Sequence, residues 1–349
     1  MKRNFGLDVL RSISIWMVLL QHLGFHVPGL APLRLGGLGV EIFFVLSGFL
    51  IGGILFKEIG KGNNLVTTLK NFWIRRWFRI LPLYYGVLVF KFAFIDHSVG
   101  SNIFYYFLFL QNNFYGIEFL GVSWSLVIEE WFYLFSPLFL FFVIRGFKNH
   151  KKIVSAIVCF IVLVVALRAL YVYQTNAPFV GINGNFPFRF DSLFLGVLMA
   201  YIKINFSAVF KRFSSPAIFL LMVGVFFIYL YSFIVFSAGI DEGYFFRIGG
   251  FFILPLIISI CVPYVSSYES INQNNIITKS AYRVFTSTSV LTYSIYLTHP
   301  FVNEFLAGHL HTDKYSTAAL AILLTYAISW FVYTFFEHPI LNLRDRISK

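Results

Sequence analysis

Charge is what this chain has least of. Asp, Glu, Lys and Arg make up 12% of its 349 residues, about half the share that a water-soluble domain carries, which excludes a soluble globular protein. Cysteine is nearly absent: Cys159 and Cys261 each sit in an apolar run with no second Cys or His at ligand spacing. Neither a disulfide framework nor a metal site is therefore expected. The 25 Gly show no three-residue period, and 46 Phe with 20 Tyr cannot stay solvated, which excludes collagen-like and disordered chains. The glycine-rich Gly36-Gly37-Leu38-Gly39 lacks the Lys-Ser/Thr of a phosphate loop, and Gly48 and Gly52 have the spacing of close helix packing. No His-x4-Asp element occurs, and no internal repeat of the transporter kind is visible.

What is present is apolar. Hydrophobic residues form 58% of the chain and the mean hydropathy is +0.78, the signature of an all-α polytopic membrane protein. Candidate spans cover 7–26, 38–56, 82–99, 123–144, 153–173, 187–202, 216–237, 245–264, 288–308 and 315–336. The N-terminus resembles a secretory signal superficially, but Arg11 interrupts it and no small-residue cleavage site follows, so it is expected to be a retained first span. The stretch 102–115 is apolar but short. If it does not cross, twenty of the 27 Lys and Arg fall on one side, which the positive-inside rule makes cytoplasmic. The exterior loops then hold only Arg34 and Lys314. The expectation is about ten helices with both termini cytoplasmic, in a single membrane-embedded domain over 1–349 without a fused periplasmic domain. The segment 102–115 becomes an exterior piece packed against protein.

Charged groups deep in a span need a partner or a function. Asp8 with Arg11, His22, Glu129 with Glu130, Arg189 with Asp191, and His299 are such groups. Arg11 and His22 are three helical turns apart on one face, ~16 Å along the axis. That stripe either lines a cavity, or Arg11 pairs with Asp8 and His22 bonds a neighbouring helix. In 70–82, Arg75, Arg76 and Arg79 share a helical face opposite aromatics, and Pro82 is expected to open the next span. This helix would lie in the cytoplasmic interface, either gripping an anionic ligand bidentately or anchoring to lipid headgroups. Adjacent Glu129 and Glu130 cannot both be buried and ionised cheaply. A glutamate there could orient His22 as a general-base dyad, or make a helix-helix hydrogen bond.

These pieces occur in ordered motifs: Leu7-Asp8-Val9-Leu10-Arg11 with His22, Gly39-Val40-Glu41 running to Ser47-Gly48-Phe49, and Arg75-Arg76-Trp77-Phe78-Arg79-Ile80-Leu81-Pro82. They continue with Trp124-Ser125-Leu126 before Glu129, Phe132-Tyr133, Arg189-Phe190-Asp191 with Gly196, and Ser294-Ile295-Tyr296-Leu297-Thr298-His299. Their order resembles the acyltransferase-3 family of integral-membrane O-acyltransferases, over about residues 5 to 345. Glu41 stands where that family often has Asp. The resemblance implies transfer of an acyl group, by family frequency acetyl, from acyl-CoA as co-substrate to a glycan hydroxyl, at the bacterial inner membrane. It implies His22 as base, and Arg11, Arg75, Arg76 and Arg79 as donor-handling residues. Glu129 is expected to hold the imidazole, with Asp8, Ser47, Ser125, Arg189, Asp191 and His299 in support. No bound cofactor, metal or nucleic acid is expected; the partners are acyl-CoA, a glycan acceptor and membrane lipids. The competing classes are a proton-coupled transporter of an anionic or glycan substrate, and a scaffold in a glycan-assembly complex.

Overall fold

A computed structural model describes residues 3–27, 29, 35–236, 239–241, 243–309 and 313–347. Lys2, Arg34 and Lys349, three charges used in the topology count, lie outside the described residues. The order is α1 (Phe5–His22), α2 (Leu35–Gly60), α3 (Leu65–Phe94), α4 (Ile103–Phe107), α5 (Gln111–Phe114), α6 (Trp124–Gly146), α7 (His150–Thr175) and α8 (Phe179–Gly184). There follow α9 (Phe190–Asn205), α10 (Ser207–Phe213), α11 (Pro216–Val235), α12 (Phe251–Ser266), α13 (Ile276–His309), α14 (Lys314–Val332) and α15 (His338–Ile347). Among the described residues no strand occurs, and both cysteines are free. The fold is an all-α polytopic membrane protein.

Among the described residues, seven helical stretches are long and apolar enough to cross a membrane: Leu35–Gly60, Leu65–Phe94, Gly121–Gly146, His150–Thr175, Pro216–Val235, Phe245–Ser266 and Lys314–Ile347. The other three expected spans fall on α1, α9 and α13, which carry buried polar groups such as Asp8, Asp191 and His299. α9 has only 16 residues, and the polar groups of α1 and α13 lower the hydropathy of those two helices.

The expectation that Pro82 begins a new span is corrected. Pro82 lies inside the single 30-residue helix α3, so the arginine-bearing segment is the first part of a spanning helix and not a separate interfacial one. A proline inside a membrane helix is tolerated where neighbouring groups satisfy the freed carbonyl. The segment 102–115 folds as the two short helices α4 and α5, too short to cross. They lean on α3: the Tyr84 hydroxyl donates to the Tyr106 carbonyl at 3.1 Å and the Tyr85 hydroxyl to that of Phe107 at 2.9 Å.

Two compact units emerge, Met1–Val40 with Trp73–Ser123 and Glu269–Lys349, and Glu41–Phe72 with Trp124–Tyr268. In the first, α1 and α13 run parallel in register, Asp8 meeting Ser289 and His22 meeting His299. The second half of α3 also parallels α13, since Tyr293 bonds the Ile80 carbonyl and Lys91 pairs with Glu304. In the second unit α2 and α9 are parallel and touch backbone to backbone. A β-carbon on Gly48 would overlap the Leu193 carbonyl, and one on Gly196 the Val45 carbonyl, so glycine is required at both positions for this approach.

These directions restrict the topology. Parallel α3 and α13 need an odd number of crossings between them. The long helices α6, α7, α11 and α12 supply four, and α9 makes the count odd if 102–115 stays on one side. Reporter fusions after Asn113 and after Gly121 are accordingly expected to report the same, exterior, face. Opposite faces would reject this count.

Candidate active site

In the first unit the site is built where α1 lies along α13. Asn4 caps α1 by accepting from the Leu7 N–H at 3.0 Å, which sets Asp8 in the first turn, where the helix dipole favours a carboxylate. Asp8 is buried and takes Arg3 at 3.0 Å, Arg11 at 3.3 Å and the Ser289 hydroxyl at 2.7 Å. Arg11 also donates to Ser289 Oγ at 3.1 Å. The pairing of Arg11 with Asp8 therefore exists, yet it does not exhaust the neighbourhood. Arg79, Arg76 and Arg3 all lie near enough to Arg11 for their charges to act on it. Arg79 in turn is attracted to Glu337, a buried carboxylate that accepts from Ser294 Oγ at 2.7 Å. Four guanidiniums set against two carboxylates leave a positive excess at the first turn of α1. Arg79 and Arg75 are exposed and Arg76 half-buried on α3. Such a cluster has the fork geometry and charge to hold phosphate groups.

Three turns along α1, His22 is half-buried, and its Nδ1 lies 2.9 Å from the Val18 carbonyl oxygen. A carbonyl only accepts, so Nδ1 carries the hydrogen and the neutral ring offers its lone pair at Nε2. That is the tautomer a general base needs. Beside it stands the fully buried His299, ring centres 4.7 Å apart. Ser12 adds a tertiary tie by donating to the Phe285 carbonyl at 2.7 Å, and Trp16 Nε1 donates to the Tyr326 hydroxyl at 2.7 Å. Arg11, His22 and their neighbours are thus held on one face of a helix fastened along its length.

The remaining expected residues belong to the second unit. Glu129 accepts from the Tyr133 hydroxyl at 2.9 Å, one turn along α6, and that hydroxyl also bonds Ser47 Oγ at 2.9 Å. Ser125 is buried at the start of α6. Arg189 forms a buried ion pair with Glu41, which also accepts from Ser192 Oγ at 3.1 Å. The Arg189 guanidinium lies over the Phe251 ring at 4.2 Å. Asp191 pairs with Arg168 at 2.9 Å, neither side chain having exposed surface. Arg189 and Asp191 therefore belong to an ion-pair network that joins α7, α9 and α2. His22 and Glu129 fall in different units, so their dyad stays a proposal.

Sequence reasoning missed Ser289 and Glu337 as members of these clusters, and named Tyr133 only within a motif. Ser289 and Tyr133 are uncharged, so a search for charges inside spans passes over them. Glu337 sits one residue past the expected end of the last span, on an irregular turn with wider hydrogen-bond spacing, Tyr333–Glu337, and reads as part of a loop.

The chain is 30% identical to O-acetyltransferase OatA of Staphylococcus aureus, in an alignment covering 96% of this chain and 57% of that protein. It is 33% identical to peptidoglycan O-acetyltransferase OatA of Listeria monocytogenes, over 44% of this chain and 26% of that protein. The chain thus spans little more than half the length of the first of these relatives and about a quarter of the second. No solved structure matches it. The acyltransferase-domain family to which the ordered motifs pointed matches residues 4–336, nearly the whole chain, and the chain belongs to that family, acyltransferase-3.

Proposed function

We propose that this chain transfers an acyl group, acetyl in the first place, from acyl-CoA to a hydroxyl of a cell-surface or lipid-linked glycan, within the bacterial cytoplasmic membrane. The observation that carries this reading is one helix face with two chemistries: an arginine cluster at Arg11 and a histidine with a free lone pair at His22, ~16 Å along the axis. Phosphates of CoA dock on Arg76 and Arg79, with Arg75 at the exposed edge, and the pantetheine arm runs along α1 past Arg11 to bring the thioester to His22. His22 Nε2 takes the proton of the sugar hydroxyl as its oxygen attacks the thioester carbonyl. Positioning supplies most of the rate and the base ~10²–10⁴-fold. Asp8 holds Arg11 in place. The name of the Listeria relative favours peptidoglycan as the acceptor; O-antigen and capsule present the same hydroxyl chemistry. An acyl-enzyme through Ser47 or Ser125 ranks lower, since the Ser47 hydroxyl bonds a tyrosine hydroxyl and not an imidazole.

The test is release of CoA, with acyl transfer to a glycan fragment, by the purified protein in lipid nanodiscs. No release with any acceptor would overturn the reading in favour of a transporter that uses the same polar stripe as a proton path. Within an active enzyme, Arg79→Ala is expected to raise the donor KM about 10-fold or more with little change in kcat. A charge-assisted hydrogen bond to phosphate is worth about 1.5–3 kcal/mol of ground-state binding. Arg79→Lys should restore only part, because an ammonium lacks the fork. An unchanged donor KM in both variants would assign the arginine to lipid headgroups.

A further inference from the structure

The reaction as drawn leaves one atom of the site unused. Nε2 of His299 is buried and has no hydrogen-bond partner, on a residue with no exposed surface. An enclosed polar atom without a partner is rare in folded proteins and asks for a reason. The other nitrogen, Nδ1, lies 3.0 Å from the Ile295 carbonyl oxygen, so it carries the hydrogen and Nε2 is a bare lone pair. His22 repeats the arrangement against the Val18 carbonyl. The two rings have centres 4.7 Å apart and planes at 66°. Two neutral imidazoles therefore meet, each with its only N–H committed to the carbonyl four residues back in its own helix. Neither has a hydrogen to offer the other.

Resting on the acyl-transfer reading above, we propose that His299 is the proton partner of His22, so that the base is the pair, which takes up a single proton that His22 receives and the lone pair of His299 stabilises. The acceptor O–H bond breaks, its proton passes to Nε2 of His22, and the oxygen bonds the thioester carbonyl carbon. The C–S bond then breaks with its electrons on sulfur, and the pair returns the proton to give the CoA thiol. His299 stabilises the intervening imidazolium from its buried side, where no water can do so. A second proton is disfavoured by like-charge repulsion at this separation.

The polar groups around the pair are otherwise engaged. His26 bonds the Asn303 amide oxygen at 3.2 Å, the Tyr296 hydroxyl donates to the Val122 carbonyl at 2.8 Å, and Thr298 bonds Ser329 of α14 at 2.9 Å. The charged groups of this unit on α1, α3 and α13 nearest in sequence are Lys91 paired with Glu304, more than a turn beyond His299, and Arg11 with Asp8, about three and four turns before His22.

Two variants separate proton acceptance from packing. His299→Phe keeps an aromatic ring in the space and removes the acceptor; His299→Gln keeps an acceptor near the place of Nε2 and removes the ring. With acetyl-CoA and a glycan fragment, the Phe variant is expected to lose about 10²-fold or more in kcat at unchanged donor KM, and the Gln variant to stay within about 10-fold of wild type. Near-normal turnover by His299→Phe, or equal losses in both variants, would overturn the proposal. A second readout needs no substrate: in ¹⁵N-histidine spectra of the full chain in nanodiscs, titrated toward acid pH, His22 and His299 should take up one proton between them. The titration of His22 should also change in His299→Phe. Two independent one-proton titrations would overturn the pairing. A proton-sharing pair in a protein that releases no CoA would keep the pairing and reject acyl transfer, while an active enzyme with independent histidines would do the reverse.

Discussion

His22→Ala is expected to abolish acyl transfer, by about 10²–10⁴-fold or more, in a protein that still folds and still binds acyl-CoA. The fold should survive because the hydrogen bond of His22 runs to Val18 in its own helix, whereas α1 is tied to α13 through Asp8, Arg11 and Ser12. Truncation removes one ring contact with His299 and none of those ties. Donor binding should survive because the arginines gather at the other end of the helix, three turns away. A base acts on a proton in flight, so its loss lowers kcat and leaves the ground-state complex intact. The checks are donor affinity by calorimetry, thermal stability in detergent and the transfer rate, all on one preparation. Near-normal transfer by a folded His22→Ala protein would reject the mechanism, and loss of CoA binding with misfolding would make His22 structural.

Arg189→Met should act on stability and not on chemistry. Arg189 has no exposed surface and pairs with Glu41, itself 5% exposed, so removing the guanidinium strands a carboxylate in a low-dielectric interior. Breaking a buried pair on one side costs about 3–5 kcal/mol. For a chain of this size that lowers Tm on the order of 10 °C. Replacing both partners, Arg189→Met with Glu41→Leu, should recover much of the loss, since no charge is then left unpaired. Thermal unfolding followed by tryptophan fluorescence checks both. A double variant no more stable than Arg189→Met would show that the arginine holds its neighbours through Phe251 and Asn183 and not through Glu41.

The amino-acid sequence by itself determined the class of this molecule. A low charged fraction and long apolar runs leave a membrane-spanning helical bundle as the only way to satisfy the backbone, and the short 102–115 stretch was legible as a non-crossing piece from charge asymmetry. The 3.6-residue period alone put Arg11 and His22 on one face. Local rules failed at Pro82, because what decides whether a proline ends a helix is the packing around the freed carbonyl. They could not decide the partners either. That Arg11 meets Ser289 and Arg79, that His22 meets His299 and that Arg189 meets Glu41 depends on parallel helices separated by up to about 280 residues of chain, a register set by side-chain packing along whole helix faces. Periodicity assigns a residue to a face of its own helix. Only the tertiary structure decides which face it meets, because that choice minimises unpaired charge and void across many helices at once.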